Sequence, residues 1–234
     1  MDAASTPDSP MPSPGPSPVS SPVPSQTAGE LRRGPEQAQR RLVLLHGWGA
    51  DADDLLELGS LLVDDAVSVV ALQAPGLHPS GMGRQWYDLQ QPGWPGLPEA
   101  LQQLRRRLLS LDQEVPLSRS VLLGFSQGAA MAVDVVTRQG DLPLAALIGC
   151  SGYPHPDWSP AASSPSSPAI VLTHGRQDPV VPYGASVELV RRLNDRGYAV
   201  ELLEHPGGHS IEPDMLPSLR QAIEACWREG SGVA

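Results

Sequence analysis

Ser126 stands in Gly124-Phe125-Ser126-Gln127-Gly128, after the apolar run Ser120–Leu123 and before Ala129-Ala130-Met131-Ala132-Val133. This is G-x-S-x-G between a strand-like and a helix-like segment, the context in which a serine hydroxyl serves as a nucleophile. The serine must sit on a tight turn so that its hydroxyl projects from a sheet. Glycines two before and two after leave room for strand and helix to approach each other. The helix start adds backbone N–H groups and a partial positive charge where an oxyanion would develop.

A nucleophilic serine needs a base, and the base needs an orienting acid. His209 follows Gly207-Gly208, beyond the apolar run Ala199–Leu203. Asp178 lies in His174-Gly175-Arg176-Gln177-Asp178-Pro179, directly after the run Ala169–Thr173. The chain order is Ser, Asp, His, one of the orders in which such a triad occurs. In this reading His209 takes the proton of Ser126 and Asp178 fixes the imidazole tautomer. His205 is the rival base but lies nearer the strand end, where a structural role is expected. His205 and His209 are four apart, a metal spacing if helical, but the Pro-Gly-Gly between them argues against a helix, so no metal is expected. His46-Gly47-Trp48-Gly49 follows the run Leu42–Leu45. Its glycines suit a loop that approaches substrate closely. The expected oxyanion donors are the backbone N–H groups of Trp48 and Gln127.

The elements that must position these groups alternate. Near-continuously apolar runs at Leu42–Leu45, Val67–Leu72, Ser120–Gly124, Leu144–Ile148, Ala169–Thr173 and Ala199–Leu203 read as strands covered on both faces. Between them are helical stripes. The first is Leu55, Leu58 and Leu62, with Asp51 as cap. The second is Leu97, Leu101, Leu104, Leu108 and Leu111. The third is Val187, Val190 and Leu193, and the last is Leu216, Leu219, Ile223 and Trp227. Strands alternating with helices predict an α/β fold with a mostly parallel central sheet and helices on both faces, a three-layer α/β/α domain. Sites in such sheets gather at the carboxyl ends of the strands, where all the motifs above fall.

The first 25 residues hold eight Pro and seven Ser. Residues 1–38 are expected to be a disordered tail and residues 39–230 the folded domain. The tail reads either as a proline-rich ligand or as a segment with no specific partner, and the second reading is favoured. Pro154 to Pro168 reads as a long surface loop that borders the site. The formal net charge of −10 disfavours nucleic acid and anionic membranes as partners. No run approaches the ~20 apolar residues needed to cross a bilayer, and the N-terminus lacks the pattern of a secretory signal. The two cysteines, Cys150 and Cys226, form no disulfide framework or metal spacing. A cytoplasmic location is the simplest expectation.

The motifs Leu45-His46-Gly47-Trp48-Gly49-Ala50, Ala74-Pro75, Gln85-Trp86-Tyr87-Asp88, Gly124-Phe125-Ser126-Gln127-Gly128-Ala129, Cys150-Ser151-Gly152-Tyr153, His174 to Pro182 and His209-Ser210-Ile211 resemble the carboxylesterase/phospholipase family that includes acyl-protein thioesterases. The likeness spans about residues 42 to 228. It implies an α/β-hydrolase fold, a triad of Ser126, Asp178 and His209, and oxyanion donors at Trp48 and Gln127. It also implies an acyl-serine route on small to medium esters or thioesters, with no cofactor. Two departures stand out. The family usually has glycine where Ala129 stands, and its N-terminal strand pair has no clear counterpart in the sequence. Trp86, Tyr87 and Trp94 read equally as a substrate pocket or as rings that pin a long loop. Gln73 and Arg84 read either as hydrogen-bond partners of a substrate carbonyl or as solvated loop positions, and the second reading is favoured. Alternatives on the same fold are a lactone or carbon–carbon hydrolase, or a silent binding protein. Oligomeric state is not readable.

Overall fold

The computed structural model describes Met1, residues 25–27 and residues 29–229. Ten strands occur among them: β1 (Ser25–Thr27), β2 (Glu30–Arg33), β3 (Arg41–Leu45), β4 (Ser68–Leu72), β5 (Gly76–Leu77), β6 (Arg84–Gln85), β7 (Ser120–Phe125), β8 (Ala146–Cys150), β9 (Ala169–Gly175) and β10 (Val200–His205). The helices are α1 (Ala52–Leu62), α2 (Leu97–Leu111), α3 (Gln127–Thr137), α4 (Gly184–Asn194) and α5 (Leu216–Glu229). Eight strands form one sheet in the order β1-β2-β4-β3-β7-β8-β9-β10, and β5 and β6 form a separate hairpin. β1 and β2 are antiparallel to their neighbours, and every pairing from β4 to β10 is parallel.

Alternation along the strands makes the three layers. Val43, Leu45, Val70, Leu72, Leu122, Leu147 and Ile170 face a core shared with α2, α3 and α4. Leu42, Leu44, Val69, Ala71, Val121, Leu123 and Ile148 face the opposite core with α1 and α5. Side chains that point alternately to two covered faces explain why these strands are apolar throughout. Strand order reverses at β3, with β4 on one side and β7 on the other. The helices that follow β3 and β7, α1 and α3, therefore pack on opposite faces of the sheet, and the two turns leave side by side at the switch point.

Local signals set the helix ends. Asp51 caps α1, accepting from Asp53 N at 3.0 Å, while Asp54 returns a bond to Asp51 N at 2.9 Å. Pro98 sits in the first turn of α2, where its missing N–H is harmless. In α4 the buried face is Ser186, Leu189 and Leu193, and Val187 is 46% exposed. The expected stripe was thus partly rotated, because Leu189 lies out of step with the apolar pair Val187 and Val190.

The expected boundary at residue 38 is corrected. Residues 30–33 form a strand that pairs with β4, and β1 pairs with β2, so an N-terminal strand pair is present. β2 is polar because its charges are matched. Arg32 binds Glu30 at 2.7 Å and Glu114 at 2.6 Å, and neighbouring Arg41, 1% exposed, binds the Leu111 carbonyl at 2.6 Å and Glu114 at 2.7 Å. The rest of the expected tail, residues 2–24 and 28, lies outside the described residues. Between β8 and β9 there is no regular element, as expected of a long loop. It is pinned by buried His155 and Trp158, whose indole donates to Thr137 at 3.0 Å.

Candidate active site

Ser126 joins β7 to α3 with φ +53° and ψ −117°, a conformation costly for a residue with a side chain. Its surroundings enforce the turn. Ser126 N–H donates to the Cys150 carbonyl of β8 at 2.8 Å. A side chain on Gly124 would meet Ala129 Cα at 2.7 Å, and one on Gly128 would meet the His46 carbonyl at 2.6 Å. Only glycine lets β3, β7 and α3 close around the turn. Ala129, at the position where glycine was expected, fits because Gly152 faces it. A methyl on Gly152 would lie 3.0 Å from the Ala129 Cβ.

β9 and β10 pair in parallel with Gly175 opposite His205, so their following loops leave side by side. Arg176 N–H donates to the His205 carbonyl at 2.8 Å and Gln177 N–H to the Gly207 carbonyl at 3.1 Å. These bonds bring Asp178 to His209. His209 Nδ1 lies 2.7 Å from Asp178 Oδ2, and His209 Nε2 lies 2.9 Å from Ser126 Oγ. The carboxylate only accepts, so Nδ1 carries the proton and Nε2 accepts from the serine hydroxyl. Phe125 packs its ring against His209 with centroids 4.9 Å apart.

The Asp178 carboxylate is wholly buried, and Oδ1 accepts from Val180 N and Val181 N at 2.8 Å each. Burial opposes its charge. Hydrogen bonds from His209 and from the Val181 and Val180 N–H groups outweigh that penalty and hold the carboxyl below its ordinary range. His174 adds support. Its Nε2 lies 2.8 Å from the Val181 carbonyl and 3.3 Å from Asp178 Oδ2, so that nitrogen donates, and Nδ1 accepts from the Ser186 hydroxyl at 2.7 Å.

The loop after β3 lies against the serine, since a side chain on Gly47 would meet Ser126 Cβ at 3.3 Å. Gly47, the residue before Trp48, thus borders Ser126, and Gln127 follows the serine in the chain. The Gln127 N–H, in the first turn of α3, has no acceptor within the helix. The Gln127 side chain is fully buried. Its Oε1 accepts from Trp86 N at 3.0 Å and its Nε2 donates to the Tyr87 carbonyl at 2.8 Å. Trp86 Nε1 in turn donates to the His46 carbonyl at 2.9 Å. His46 accepts from Ala74 N at Nε2, 3.1 Å away, and donates from Nδ1 to the Gly47 carbonyl at 2.8 Å. Burial lowers the pKa of His46, which suits an imidazole that must accept at Nε2.

Trp86 and Tyr87 are each 4% exposed, which favours the loop-pinning reading over the pocket-lining one. Trp94 is half-buried, at φ +47°, with its ring 5.3 Å from Tyr87 and 6.0 Å from Tyr153. Gln73 accepts from Ala52 N at 2.6 Å and Arg84 donates to the Pro75 carbonyl at 3.3 Å, so both serve the scaffold. His205 accepts from Gly207 N at 3.2 Å, while it is His209 that reaches the serine. Among the described residues no three His, Cys, Asp or Glu side chains are grouped to hold a metal, and no helix is long and apolar enough to cross a membrane. Sequence reasoning missed Asp134 and His155, which meet at 2.7 Å. The available signal was one carboxylate inside the otherwise apolar stretch of α3.

A family model described as phospholipase/carboxylesterase matches residues 29–227. Esterase YpfH of Escherichia coli (strain K12) is 27% identical over 190 residues, covering 75% of this chain and 78% of that protein. Acyl-protein thioesterase 1 of Gibberella zeae is 26% identical over 195 residues, covering 73% and 80%. The crystal structure of esterase PE8 superposes with a TM-score of 0.72 at 28% identity, covering 83% of this chain and 97% of that one. A match that runs from β2 to α5 through every loop of the site makes this chain a member of the phospholipase/carboxylesterase family, built on the α/β-hydrolase fold.

Proposed function

We propose that this chain is a serine hydrolase of small to medium carboxylic esters or thioesters, with Ser126 as nucleophile, His209 as general base and Asp178 as its orienting acid. The observation that carries the reading is the unbroken line from Ser126 Oγ through His209 to Asp178, at 2.9 and 2.7 Å. His209 Nε2 removes the hydroxyl proton as Oγ attacks the substrate carbonyl. The negative charge that develops on the carbonyl oxygen is met by the N–H groups of Trp48 and Gln127, with the N-terminus of α3 behind them. The imidazolium is stabilised by the buried carboxylate and gives its proton to the leaving alcohol or thiol. Water then attacks the acyl-serine, delivering its proton to His209, and releases the acid. No step calls on a metal or organic cofactor. The activity belongs to the folded domain, which begins by residue 29. A cytoplasmic setting is part of the proposal, supported by a content of two cysteines, too few for a disulfide framework.

The test is labelling with a fluorophosphonate, together with release of p-nitrophenol from short-chain esters. Wild type is expected to label and turn over, and Ser126→Ala to do neither. A wild-type protein that resists the probe and leaves every ester intact would falsify the reading.

A further inference from the structure

An oxyanion donor acts only if it is held in place, and the loop that carries Trp48 has little means to hold itself. Gly47 and Gly49 flank Trp48, Gly49 lies at φ +81°, and the backbone bond across the loop, from Ala50 N–H to the Gly47 carbonyl, is long at 3.4 Å. The tethers come from the hairpin of β5 and β6. Gly49 N–H donates to the Arg84 carbonyl and Arg84 N–H to the Ala50 carbonyl, at 2.8 Å each. A side chain on Gly83 would strike the Gly49 carbonyl, so the two backbones touch there. Trp48 Nε1 donates to Gln85 Oε1 at 2.8 Å, and the His78 ring lies against the indole with centroids 4.1 Å apart at 70°. The main-chain N–H of Trp48 has no acceptor among the described residues, and it is bonded to Gly47, the residue that borders Ser126.

His78 is itself fixed at the hairpin end. Its N–H donates to the Gly83 carbonyl at 3.1 Å. Ser80 N–H donates to His78 Nδ1 at 3.2 Å, and the Ser80 hydroxyl lies 2.8 Å from the same nitrogen, so Nδ1 is an acceptor. Nε2 is buried and has no hydrogen-bond partner among the described residues. It faces Gly49, where a side chain would come within 3.6 Å of it. The ring is wedged between Ser80 and the Trp48-Gly49 pair, edge against face with the indole, an arrangement that aromatic pairs prefer. A buried imidazole nitrogen that binds nothing polar calls for an explanation, and packing on the oxyanion loop supplies one. Resting on the hydrolase reading, we propose that His78 is a positioning residue of that reaction. Its ring braces the Trp48 indole while Gln85 holds the indole N–H. Together they keep the main-chain N–H of Trp48 aimed at the oxygen that becomes negative.

The experiment compares ethyl butyrate with O-ethyl thiobutyrate, in which sulfur replaces the carbonyl oxygen. Sulfur is larger and a weaker acceptor, so donors placed for oxygen favour the oxo ester, and the oxo/thiono ratio in kcat/KM reads their aim. Each ratio is internal to its variant, so a general loss of rate cancels. His78→Asn keeps an acceptor for Ser80 N–H but has no ring, and His78→Phe keeps a ring but has no acceptor. His78→Asn is expected to lose about ten- to thirtyfold in kcat on ethyl butyrate with KM little changed, part of the roughly 10²- to 10³-fold that a missing oxyanion donor costs. Its oxo/thiono ratio falls toward one. His78→Phe recovers most of the rate and of the ratio. Trp48→Leu lowers the ratio as well, and adding His78→Asn to it lowers the ratio no further. Urea titration checks folding, and His78→Leu, with the same expected fall in ratio, replaces His78→Asn if that variant does not fold. An unchanged ratio in the ringless variant, or His78→Asn near wild type with His78→Phe impaired, means that His78 serves only the hairpin turn and overturns this proposal alone. A second, equal fall in the double variant overturns it too, because His78 then does not act through Trp48. A wild type inert to both esters and to fluorophosphonate overturns the hydrolase reading and this proposal with it.

Discussion

Asp178→Asn separates the charge of the acid from its shape, and the structure dictates how the amide must sit. Oδ1 of Asp178 accepts two backbone N–H groups, from Val180 and Val181, at 2.8 Å each. Asparagine must place its carbonyl oxygen there, because an NH2 group would face two donors. Its NH2 then points at His209 Nδ1, where the carboxylate oxygen lay at 2.7 Å. Facing a donor, His209 moves its proton to Nε2. That nitrogen sits 2.9 Å from Ser126 Oγ and can no longer accept the hydroxyl proton. The wrong tautomer in a serine triad of this geometry costs about 10⁴-fold in kcat, or about 5 kcal/mol of barrier. KM should change little, since nothing that holds substrate has moved. Stopped-assay hydrolysis of p-nitrophenyl butyrate, with circular dichroism to confirm folding, measures the loss. A folded Asp178→Asn enzyme within about tenfold of wild type would refute the reasoning, because His209 would then not depend on a fixed tautomer.

Other expectations follow from the same contacts. Gly128→Ala sets a methyl against the Leu45 and His46 carbonyls, with backbone on both sides; urea titration should show a loss of more than about 3 kcal/mol or no folded protein. Gly152→Ala should cost about 1–2 kcal/mol against Ala129 Cβ, and adding Ala129→Gly should recover about 1 kcal/mol in a double-mutant cycle. Trp86→Phe leaves the buried His46 carbonyl without its donor and should lower stability by about 1–3 kcal/mol, read as a shift in urea midpoint at constant slope. Asp134 and Asp178 both titrate lower in the folded chain than unfolded. The stability they contribute is present above the unfolded carboxyl range, near 4, and is lost as pH falls through the lower folded values. Asp134→Asn should therefore flatten the acid limb of a stability profile below about pH 4, and an unchanged limb would count against the assignment.

The parallel strands were legible because each is covered on both faces and so reads as an unbroken apolar run, as in Leu42–Leu45 and Val121–Leu123. β2 was not, because Glu-Leu-Arg-Arg looks like coil until Glu114 is known to lie beside it, 82 residues away from Arg32. The hairpin of β5 and β6 was too short to register, with two residues per strand. At the site, Ser126, Asp178 and His209 could be named from turn chemistry, since each follows a strand within a few residues. The grip of Gln127 on the 86–87 segment could not, because a buried glutamine looks like any other until its partners are placed. Asp134 could have been noticed as a charge among apolar neighbours, but its partner His155 sits in a loop with no periodicity to anchor it.

Gln127 belongs to two structures at once. Its main chain carries the serine turn into α3, while its amide clasps the buried segment of Trp86 and Tyr87. Any rearrangement that shifts the backbone of Trp86 or Tyr87 must drag that amide with it, and the first turn of the following helix moves too. A disturbance in the 86–87 segment is therefore felt at the turn that carries Ser126, although the two are about forty residues apart in the chain.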